Sequence, residues 1–493
     1  MRQGFDNDKY IALQAEHIKS RINQFGGKLY LEFGGKLFDD YHASRVLPGF
    51  EPDSKFRMLK TMADDVEIII AINANHIEKS KTRGDLGITY DEEVLRLLDV
   101  FRSRGFATSG VVITHFENQP SAVAFRHRLD GLGIKSYLHY PIAGYPYDTA
   151  TIVSDEGYGK NEFVETTHPL VVVTAPGPGS GKMATCLSQL YHEHKRGTLA
   201  GYAKYETFPI WNLPLKHPVN IAYEAATVDL DDANCIDPFH LEAYGKTTVN
   251  YNRDVEIFPV LKTLMEKIVG ESPYQSPTDM GVNMAGLAIV DDEAVRDAAK
   301  MEIVRRYFQA AVDARRSGTH EDYVQRLELL MNQAGIDASF SPARSAALLK
   351  EETTGGPAGA MVLADGRVVT GKTSTLLGAA SSLLMNALKA MAGVDDDICV
   401  ISDDVVKPIC ELKTSTLHSK NPRLHSDETL LALSVSSATD PLAKQLLDHV
   451  DDLRGCDAFF SVILSATDEK LYRTLGINVC CEPKYEQRRY YHK

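Results

Sequence analysis

Short, β-branched apolar runs alternate with helix-length segments through roughly the first 200 residues of the chain. The runs are KLYLEF (28–33), VEIIIAI (66–72), GVVIT (110–114), KSYLH (135–139) and LVVVT (170–174). Strands that are apolar throughout, and not only at every second residue, are typical of a parallel sheet that helices cover on both faces. This texture predicts an α/β fold with a doubly wound, mostly parallel sheet.

The segments between the runs carry helix start and stop signals. Thr89-x-x-Glu92 has the spacing of a capping box, and Gly105 stands where a helix ends in a left-handed residue. A second helix is predicted over Gln119–Leu132, followed by Gly133 as its stop. Helices at these places complete the strand–helix alternation of the predicted sheet.

The pattern changes after residue 250, where helices dominate. Three amphipathic helices are predicted over 254–270, 291–318 and 320–335. The Gly- and Pro-rich stretch EETTGGPAGA then interrupts the helical pattern and indicates a domain boundary. We therefore predict a Rossmann-like or P-loop-like α/β domain over 1–250, a helical segment over 251–350, and a smaller C-terminal α/β or α+β domain over 351–493.

The charge balance limits the classes of partner. With 53 Lys and Arg against 67 Asp and Glu, the net charge is −14, and such a field repels nucleic acids and anionic lipid surfaces. The longest apolar tract, 373–394, is interrupted by polar residues and predicts a buried helix of small residues. We expect no nucleic-acid partner and no membrane span. The helices between 254 and 340 suit either a homo-oligomer interface or a lid.

The same composition bears on the compartment. The amino end lacks the apolar core of a secretory signal, and seven scattered cysteines include no pair at CxxC spacing. We expect a cytoplasmic protein with reduced thiols.

Two glycine–lysine loops follow predicted strands. Gly34-Gly35-Lys36 follows LYLEF, and GPGSGK at 177–182 follows LVVVT. Glycines let backbone N–H groups approach a phosphate, the next helix presents its positive end, and a lysine adds a charge. The candidate phosphate-binding residues are Gly34, Gly35, Gly177, Gly179, Ser180, Gly181 and Lys182.

The second loop departs from the P-loop pattern GxxxxGK[ST]. Pro176 stands where the first glycine belongs, and Met183 replaces the hydroxyl residue that would hold Mg²⁺. Two interpretations remain open for it. The loop binds a phosphorylated ligand, or its glycines only let a strand–turn–helix junction pack closely.

A formal match to the pattern lies elsewhere, at Gly366–Thr373. Val368 and Val369 favour extended backbone, and Asp365-Gly366 is a strong hairpin signal. We therefore predict two antiparallel strands there and no nucleotide loop. Lys372, Thr373 and Ser374, expected at the start of the next helix, are kept as a candidate anion site.

The segment from 200 to 245 is rich in residues that could carry chemistry, and its weak periodicity predicts that much of it is loop. It holds Lys204, a candidate catalytic lysine, together with several acidic residues. Asp231-Asp232 fits a solvated acidic turn better than a Mg²⁺ site.

The chain resembles, over nearly its full length, a bacterial family known as domain of unknown function 1846. The segments that carry the resemblance are LYLEFGGKLFDDYHASRVLPGF, TAPGPGSGK, NIAYEAATVDLDDANCIDPFHLEAYG, VNYNRDVEIFPVL, TGKTS, PRLHSDE and LGINVCCEP. The resemblance implies a two-part intracellular protein and assigns no catalytic residue.

A second likeness is one of architecture, to P-loop amide-forming synthetases of the CTP-synthase type. A strand, a variant glycine–lysine loop, a helix and a later Lys-Tyr pair follow one another in the same order. That likeness implies that Lys182 holds phosphate and Lys204 supports the reacting intermediate. It also implies that Asp229 or Glu224 helps to hold Mg²⁺.

These observations favour an enzyme that binds a nucleotide or a phosphorylated small molecule at its glycine loops. Lys204 and Lys36 are the candidate catalytic residues, and Mg²⁺-dependent phosphoryl transfer or ligation, by an NTP-dependent transferase or ligase, suits such a site. The alternative is a non-catalytic protein that senses or stores a phosphorylated metabolite. A nicotinamide enzyme is disfavoured because the loop lacks GxGxxG spacing.

Overall fold

The structure is a computed structural model that describes residues 2–35, 37–38, 40–83 and 87–486. Contacts divide the chain into two compact units, Gln3–Ala298 and Ala299–Lys493, the latter grouped with the first two residues. The division falls inside the segment predicted as helical. The predicted domain limits therefore stay a prediction.

The strands, in chain order, are β1 Leu29–Phe33, β2 Val66–Asn73, β3 Thr82–Arg83, β4 Ile88–Thr89, β5 Ala107–Thr114, β6 Ser136–Leu138, β7 Leu170–Thr174, β8 Gly201–Tyr205, β9 Asn234–Ile236, β10 Val249–Tyr251, β11 Gly281–Val282, β12 Ala358–Val362, β13 Val368–Lys372, β14 Asp457–Phe460 and β15 Asn478–Cys481.

The helices, in chain order, are α1 Asn7–Gln24, α2 Tyr41–Val46, α3 Ser54–Lys60, α4 Ala74–Glu78, α5 Tyr90–Ser103, α6 Pro120–Gly131, α7 Thr149–Ile152, α8 Lys182–Lys195, α9 Pro218–Ala226, α10 Pro238–Tyr244, α11 Asn252–Val269, α12 Pro277–Met280, α13 Asp292–Ser317, α14 Glu321–Gln333, α15 Pro342–Thr354, α16 Ala379–Ala392, α17 Asp403–Glu411, α18 Ser426–Ser436, α19 Pro441–Asp448 and α20 Ala466–Thr474.

The first unit is built on a seven-stranded sheet in the order β11-β8-β1-β7-β2-β5-β6. Every pairing in it is parallel. The carboxyl ends of all seven strands therefore lie along one edge, where ligands bind in open α/β sheets. The glycine loop after β7 and the one after β1 leave this edge from neighbouring strands.

Helices cover both faces of the sheet. On one face Tyr30 and Val171 belong to the apolar core that holds Leu187 of α8 and Leu261 of α11. On the other face Phe33 stacks on Tyr205 with ring centroids 4.0 Å apart. The Tyr205 hydroxyl lies 2.6 Å from that of Tyr10 in α1. The doubly wound, parallel α/β fold predicted from the alternating runs is confirmed.

The second unit contains a smaller mixed sheet in the order β13-β12-β14-β15. Strand β12 runs antiparallel to both its neighbours, and β14 runs parallel to β15. Antiparallel pairing of β12 with β13 confirms the hairpin predicted around Asp365-Gly366. The glycine turn has a left-handed φ of 87° at Gly366, as a tight hairpin turn requires.

Several local predictions are confirmed at the residue level. Thr89 and Glu92 form the capping box that opens α5. The stops at Gly105 and Gly133 have left-handed φ values of 87° and 67°. The buried helix of small residues predicted in 373–394 is α16. No helix among the described residues combines the length and the apolar character that crossing a bilayer requires.

One strand of the first unit was not predicted. The segment after residue 200, of which much was expected to be loop, begins with β8, whose residues are buried except for Lys204, and it is loop between β8 and α9. Strand β8 pairs with β1 along its whole length and with β11. A lysine inside this short run obscured the strand, because a charged residue is uncommon on a covered sheet face.

Candidate functional site

An acidic residue and a lysine lie side by side on the face of the sheet that α8 covers. Glu32 in β1 and Lys204 in β8 are register partners near the carboxyl ends of the two strands. Glu32 stands two residues after Tyr30, and Lys204 stands two residues after Tyr202. Both tyrosines belong to the core beneath α8, so strand alternation places the side chains of Glu32 and Lys204 on that face as well. The Tyr202 hydroxyl donates a 2.7 Å hydrogen bond to the Glu32 carboxylate.

Lys204 is the centre of a buried ionic cluster. Its Nζ donates hydrogen bonds to the carboxylate of Asp254, in the first turn of α11, and to the hydroxyl of Tyr251. It also lies 2.9 Å from Oε1 of Glu206 and 4.6 Å from the centre of the Tyr251 ring. Burial lowers the pKa of Lys204, but the Asp254 and Glu206 carboxylates outweigh it and hold the pKa well above its usual value. The ammonium group is therefore permanent.

Glu206, directly after β8, differs from Lys204 because its surroundings favour its uncharged form. Burial raises its pKa to about 8, and the neighbouring Asp254 carboxylate adds to the effect while Lys204 opposes it. Although Oε1 lies 2.9 Å from Lys204 Nζ, it makes no hydrogen bond of good geometry within the described residues. A carboxyl group that binds its proton near neutral pH can donate or accept a proton in a reaction.

Lys182 connects the glycine loop to this cluster. It is the first residue of α8. Burial lowers its pKa, the positive charges of Lys204 and Arg253 lower it further, and the Glu32 carboxylate opposes them. The structure thus brings two of the predicted lysines, Lys182 and Lys204, within electrostatic reach of each other and of Glu32.

Side chains from neighbouring strands hold the glycine loop by its carbonyl groups. Thr114, at the end of β5, donates to the Ser180 carbonyl at 2.9 Å, and Asn73, at the end of β2, donates to the Gly179 carbonyl at 3.1 Å. The Ser180 hydroxyl, which is buried, donates to the Gly177 carbonyl at 2.8 Å. The hydroxyl of Ser180 is thus used inside the loop.

The amide groups of the loop behave differently from its carbonyls. Within the part of the chain that the structure describes, no backbone N–H from Gly179 to Met183 donates to a protein acceptor. Three or four unpaired N–H groups are normal at a helix start, and here they continue back to Gly179 and Ser180, the two residues before the N-cap Gly181. Successive unpaired amides beside a lysine have the composition of an anion-binding nest.

The glycines also have packing reasons. A Cβ at Gly177 would overlap the Tyr90 hydroxyl, and one at Gly181 would lie 3.0 Å from Thr114. Gly179 and Gly181 have left-handed φ values of 73° and 83°. Close packing, the alternative interpretation of these glycines, therefore accounts for Gly177 and Gly181 without a ligand, and it leaves the unpaired amides of Gly179 and Ser180 unexplained.

The loop after β1 is less open to a ligand. The Gly34 N–H donates to the Tyr205 carbonyl at 3.0 Å, which extends the strand pairing by one residue. A Cβ at Gly35 would lie 3.2 Å from Nζ of Lys55, a buried lysine that pairs with Asp40 at 2.7 Å. Lys36 lies outside the described residues. Its catalytic role and the phosphate contacts of Gly34 and Gly35 stay predictions.

The two acids predicted for Mg²⁺ lie in different settings. The Glu224 carboxylate accepts the Asn234 N–H at 3.2 Å, and Asp229 is exposed on a single helical turn. No group of three His, Cys, Asp or Glu side chains in the described ranges is arranged to hold a metal ion. A role of Asp229 or Glu224 with Mg²⁺ stays a prediction.

The acidic turn next to them needs a correction. Asp231 is exposed, as predicted, but Asp232 is only 1 % exposed and pairs with Arg253. Burial raises the pKa of Asp232, while Arg253 and Lys204 oppose it. Asp232 therefore belongs to the edge of the Lys204 cluster and is not a solvated residue.

The candidate anion site in the second unit also needs a correction. Lys372 ends β13, and α16 begins only at Ala379, so Lys372, Thr373 and Ser374 are not at a helix start. The Thr373 N–H donates to the Pro357 carbonyl at 2.9 Å and the Ser374 N–H to the Leu377 carbonyl at 2.9 Å. Two of the three amides are thus already paired.

Sequence reasoning missed Glu32 and Asp254. The signal for Glu32 was its place inside the apolar run LYLEF, because a carboxylate on a covered strand face needs a partner. The alternation of Tyr202, Lys204 and Glu206 would have placed that partner on the neighbouring strand. Asp254 carried no comparable signal, because an acidic residue in the first turn of a helix is ordinary.

Comparison with known proteins agrees with the resemblance noted in the sequence. Residues 3–335 match the family model described as "Domain of unknown function DUF1846, N-terminal", and 339–491 match its C-terminal counterpart. The chain is 59 % identical over 491 residues to a UPF0371 protein of Corynebacterium diphtheriae, covering 99 % of each chain. It is 55 % identical over 492 residues to one of Streptococcus thermophilus, covering 100 % of each.

Proposed function

The chain belongs to the DUF1846 family, and we propose from its site chemistry that it is an enzyme binding a phosphorylated small molecule or nucleotide at Gly177–Lys182. The ligand's phosphoryl group would lie over the loop amides. Its reacting end would extend toward Lys204 and Glu206.

The observation that carries this proposal is the run of amides from Gly179 to Met183 that find no protein acceptor among the described residues. Gly179 is exposed, but Ser180 is buried and Gly181, Lys182 and Met183 are half-buried. N–H groups in such places normally find partners, and phosphate oxygens supply several acceptors at once. Lys182, at the end of this run, adds the positive charge. A plain packing turn would need neither the unpaired amide of the buried Ser180 nor a half-buried lysine close to it.

The neighbouring cluster supports a reaction and not only binding. Phosphoryl transfer depends mainly on positioning and on neutralisation of charge, which Lys182 and the amides would provide. Glu206, with its raised pKa, would take up or release a proton. Lys204, fixed by Asp254 and Tyr251, would present a permanent charge in one orientation. We derive no step through a metal ion, because the described carboxylates form no cluster suited to one.

A ligand panel tests the binding part. Inorganic phosphate, pyrophosphate, ATP, GTP and glucose 6-phosphate are added, with and without Mg²⁺, to wild type, Lys182→Met and Lys195→Met, and the melting temperature is measured. Lys195 ends the helix that Lys182 begins, so its variant removes the same charge from the other end. A ligand at about 100 times its Kd stabilises a protein by about 2.7 kcal/mol.

We expect one phosphorylated class to stabilise wild type and Lys195→Met by a few degrees and to leave Lys182→Met unchanged. Equal responses of all three proteins, or no response to any ligand, would show that the loop is a packing turn. The bound ligand is then assayed for turnover with wild type and Glu206→Gln. Binding without turnover by the wild type would favour the sensing or storage function.

A further inference from the structure

The glycine loop has a second neighbour, a histidine that the sequence did not single out. His76 lies in α4, directly after β2. A Cβ at Gly179 would lie 3.4 Å from its Cε1 and 3.6 Å from its Nε2, so this edge of the ring faces the loop. Its Nδ1 is buried and has no hydrogen-bond partner among the described residues. The ring nitrogen that faces the loop, and that a ligand on the loop would meet, is Nε2.

The charged groups of the described residues that act on His76 are all positive. Burial, together with the positive groups of Lys81, His115 and Lys79, lowers its pKa to about 4. The ring of Tyr90 packs edge-on against the His76 ring, with 5.4 Å between the ring centroids. Lys81 Nζ lies 5.2 Å from the centre of the same tyrosine ring. We call His76, Lys79, Lys81 and His115 the basic side of the loop.

The opposite side of the loop differs in charge. There Lys182 and Lys204 are balanced by Glu32, Glu206 and Asp254. An anionic group placed on the basic side would meet no carboxylate among the groups that act on His76. The two sides thus suit different parts of one ligand, and the more anionic part belongs with the basic side.

We propose that the loop binds a diphosphate, with one phosphoryl group over the amides next to Lys182 and the adjoining one against His76 and Lys81. This inference rests on the proposed function and names its ligand class. The close approach of His76 to Gly179 places the second group directly beside the first, as in two phosphates joined by one oxygen. His76 would act as a specificity residue and would take no part in bond making.

The arrangement also links binding to a proton. The free His76 is neutral near pH 7 because burial, and then the basic groups around it, lower its pKa, and a phosphate oxygen against the ring would favour the imidazolium. Diphosphate binding would then be accompanied by proton uptake at His76. A variant without the imidazole would lack the proton uptake of His76 at every pH, and this loss would not depend on how the ligand itself ionises.

The test compares the affinities of pyrophosphate and inorganic phosphate by isothermal titration calorimetry. The proteins are wild type, His76→Gln, Lys81→Met, and two controls, His127→Gln and Lys135→Met, which alter exposed residues of the same unit. Lys81 is exposed, so its variant tests the inference even where His76→Gln affects folding. Runs in two buffers of different ionisation enthalpy measure the proton uptake.

We expect wild type and both controls to bind pyrophosphate at least about tenfold more tightly than phosphate. His76→Gln and Lys81→Met should reduce that preference to within about threefold while phosphate affinity is kept. Proton uptake should be lower in His76→Gln than in the wild type, by the share that His76 takes up. Equal affinities in the wild type, or a preference that survives both variants, would overturn the diphosphate inference alone. Failure of the wild type to bind either anion would overturn the proposed function as well.

Discussion

Two segments of this chain combine glycines with a lysine, and the one with the better sequence pattern has the less suitable structure. Gly366–Thr373 matches GxxxxGK[ST] letter by letter and forms a turn and strand of a hairpin. Gly177–Lys182 lacks the first glycine and the hydroxyl residue, yet it joins a central parallel strand to a helix. Backbone context, more than residue spacing, therefore decides whether such glycines can hold a phosphate.

The physical difference lies in what the amides do. In the hairpin, β13 pairs with β12 along all five of its residues, and the amides that follow at Thr373 and Ser374 are also paired. In the loop, the hydrogen bonds go to the carbonyls and the amides from Gly179 to Met183 have no acceptor in the described part of the chain. The β-branched pair Val368-Val369 favours the first arrangement, and the left-handed Gly179 and Gly181 allow the second.

The strongest test of the comparison concerns Gly371. It is buried in β13, and a Cβ there would overlap the backbone of Leu383 in α16. Gly371→Ala should therefore lower the free energy of unfolding by about 3 kcal/mol, the upper end of the usual cost of overpacking. Gly366→Ala, which has open space and only a left-handed φ, should cost about 1 kcal/mol. Urea unfolding measures both, and equal costs would contradict the packing role of Gly371.

A second test uses pH to probe the first unit alone, through Glu206 in the Lys204 cluster. Its pKa rises from the ordinary 4.5 to about 8 on folding. The folded protein thus binds a proton that the unfolded chain releases, so the stability from this group is full below pH 4.5 and is lost as the pH rises to about 8.

The measurement is urea unfolding of wild type and Glu206→Gln at several pH values. Between about pH 5 and 8, the stability of wild type relative to Glu206→Gln should fall by at least about 1.4 kcal/mol, the value of one pKa unit. Glu242→Gln, an exposed glutamate in the same unit, should show no such change. A pH-independent difference for Glu206→Gln would mean that Glu206 is ionised in the folded protein.

The smallest effect is expected at the end of the hairpin. Lys372→Met, Thr373→Ala and Ser374→Ala should each change the affinity for the best phosphorylated ligand by less than about twofold, because the Thr373 and Ser374 amides are already paired and none of the three residues stands at a helix start. Equilibrium titration of each variant beside wild type measures this. A tenfold loss in any of them would move the ligand site to the second unit.

The sequence predicted the framework of the first unit well. The runs at 28–33 and 170–174 became β1 and β7, and the Thr89–Glu92 capping box opens α5 as expected. These features depend on local backbone preferences and on continuous apolar character, both of which are visible in a single sequence. The strand β8 was missed because Lys204 interrupts its apolar pattern.

The site was only half visible by the same reasoning. Lys182 and Lys204 were chosen from their segments, whereas Asp254 lies fifty positions beyond Lys204 and reaches it only through the fold. Glu206 was one of many polar residues in its segment until burial set its pKa apart. His76 gave no signal, since its closeness to Gly179 depends on β2 and β7 being neighbours.

The sequence by itself determined the parallel sheet, the helix ends and the hairpin at Asp365-Gly366, because each follows from interactions between residues close along the chain. The tertiary structure alone decided which charges meet. Strand order set Glu32 against Lys204 and brought His76 to the glycine loop. Burial then turned these neighbours into a cluster, since taking charged groups out of water makes each of them depend on the partners that the fold supplies.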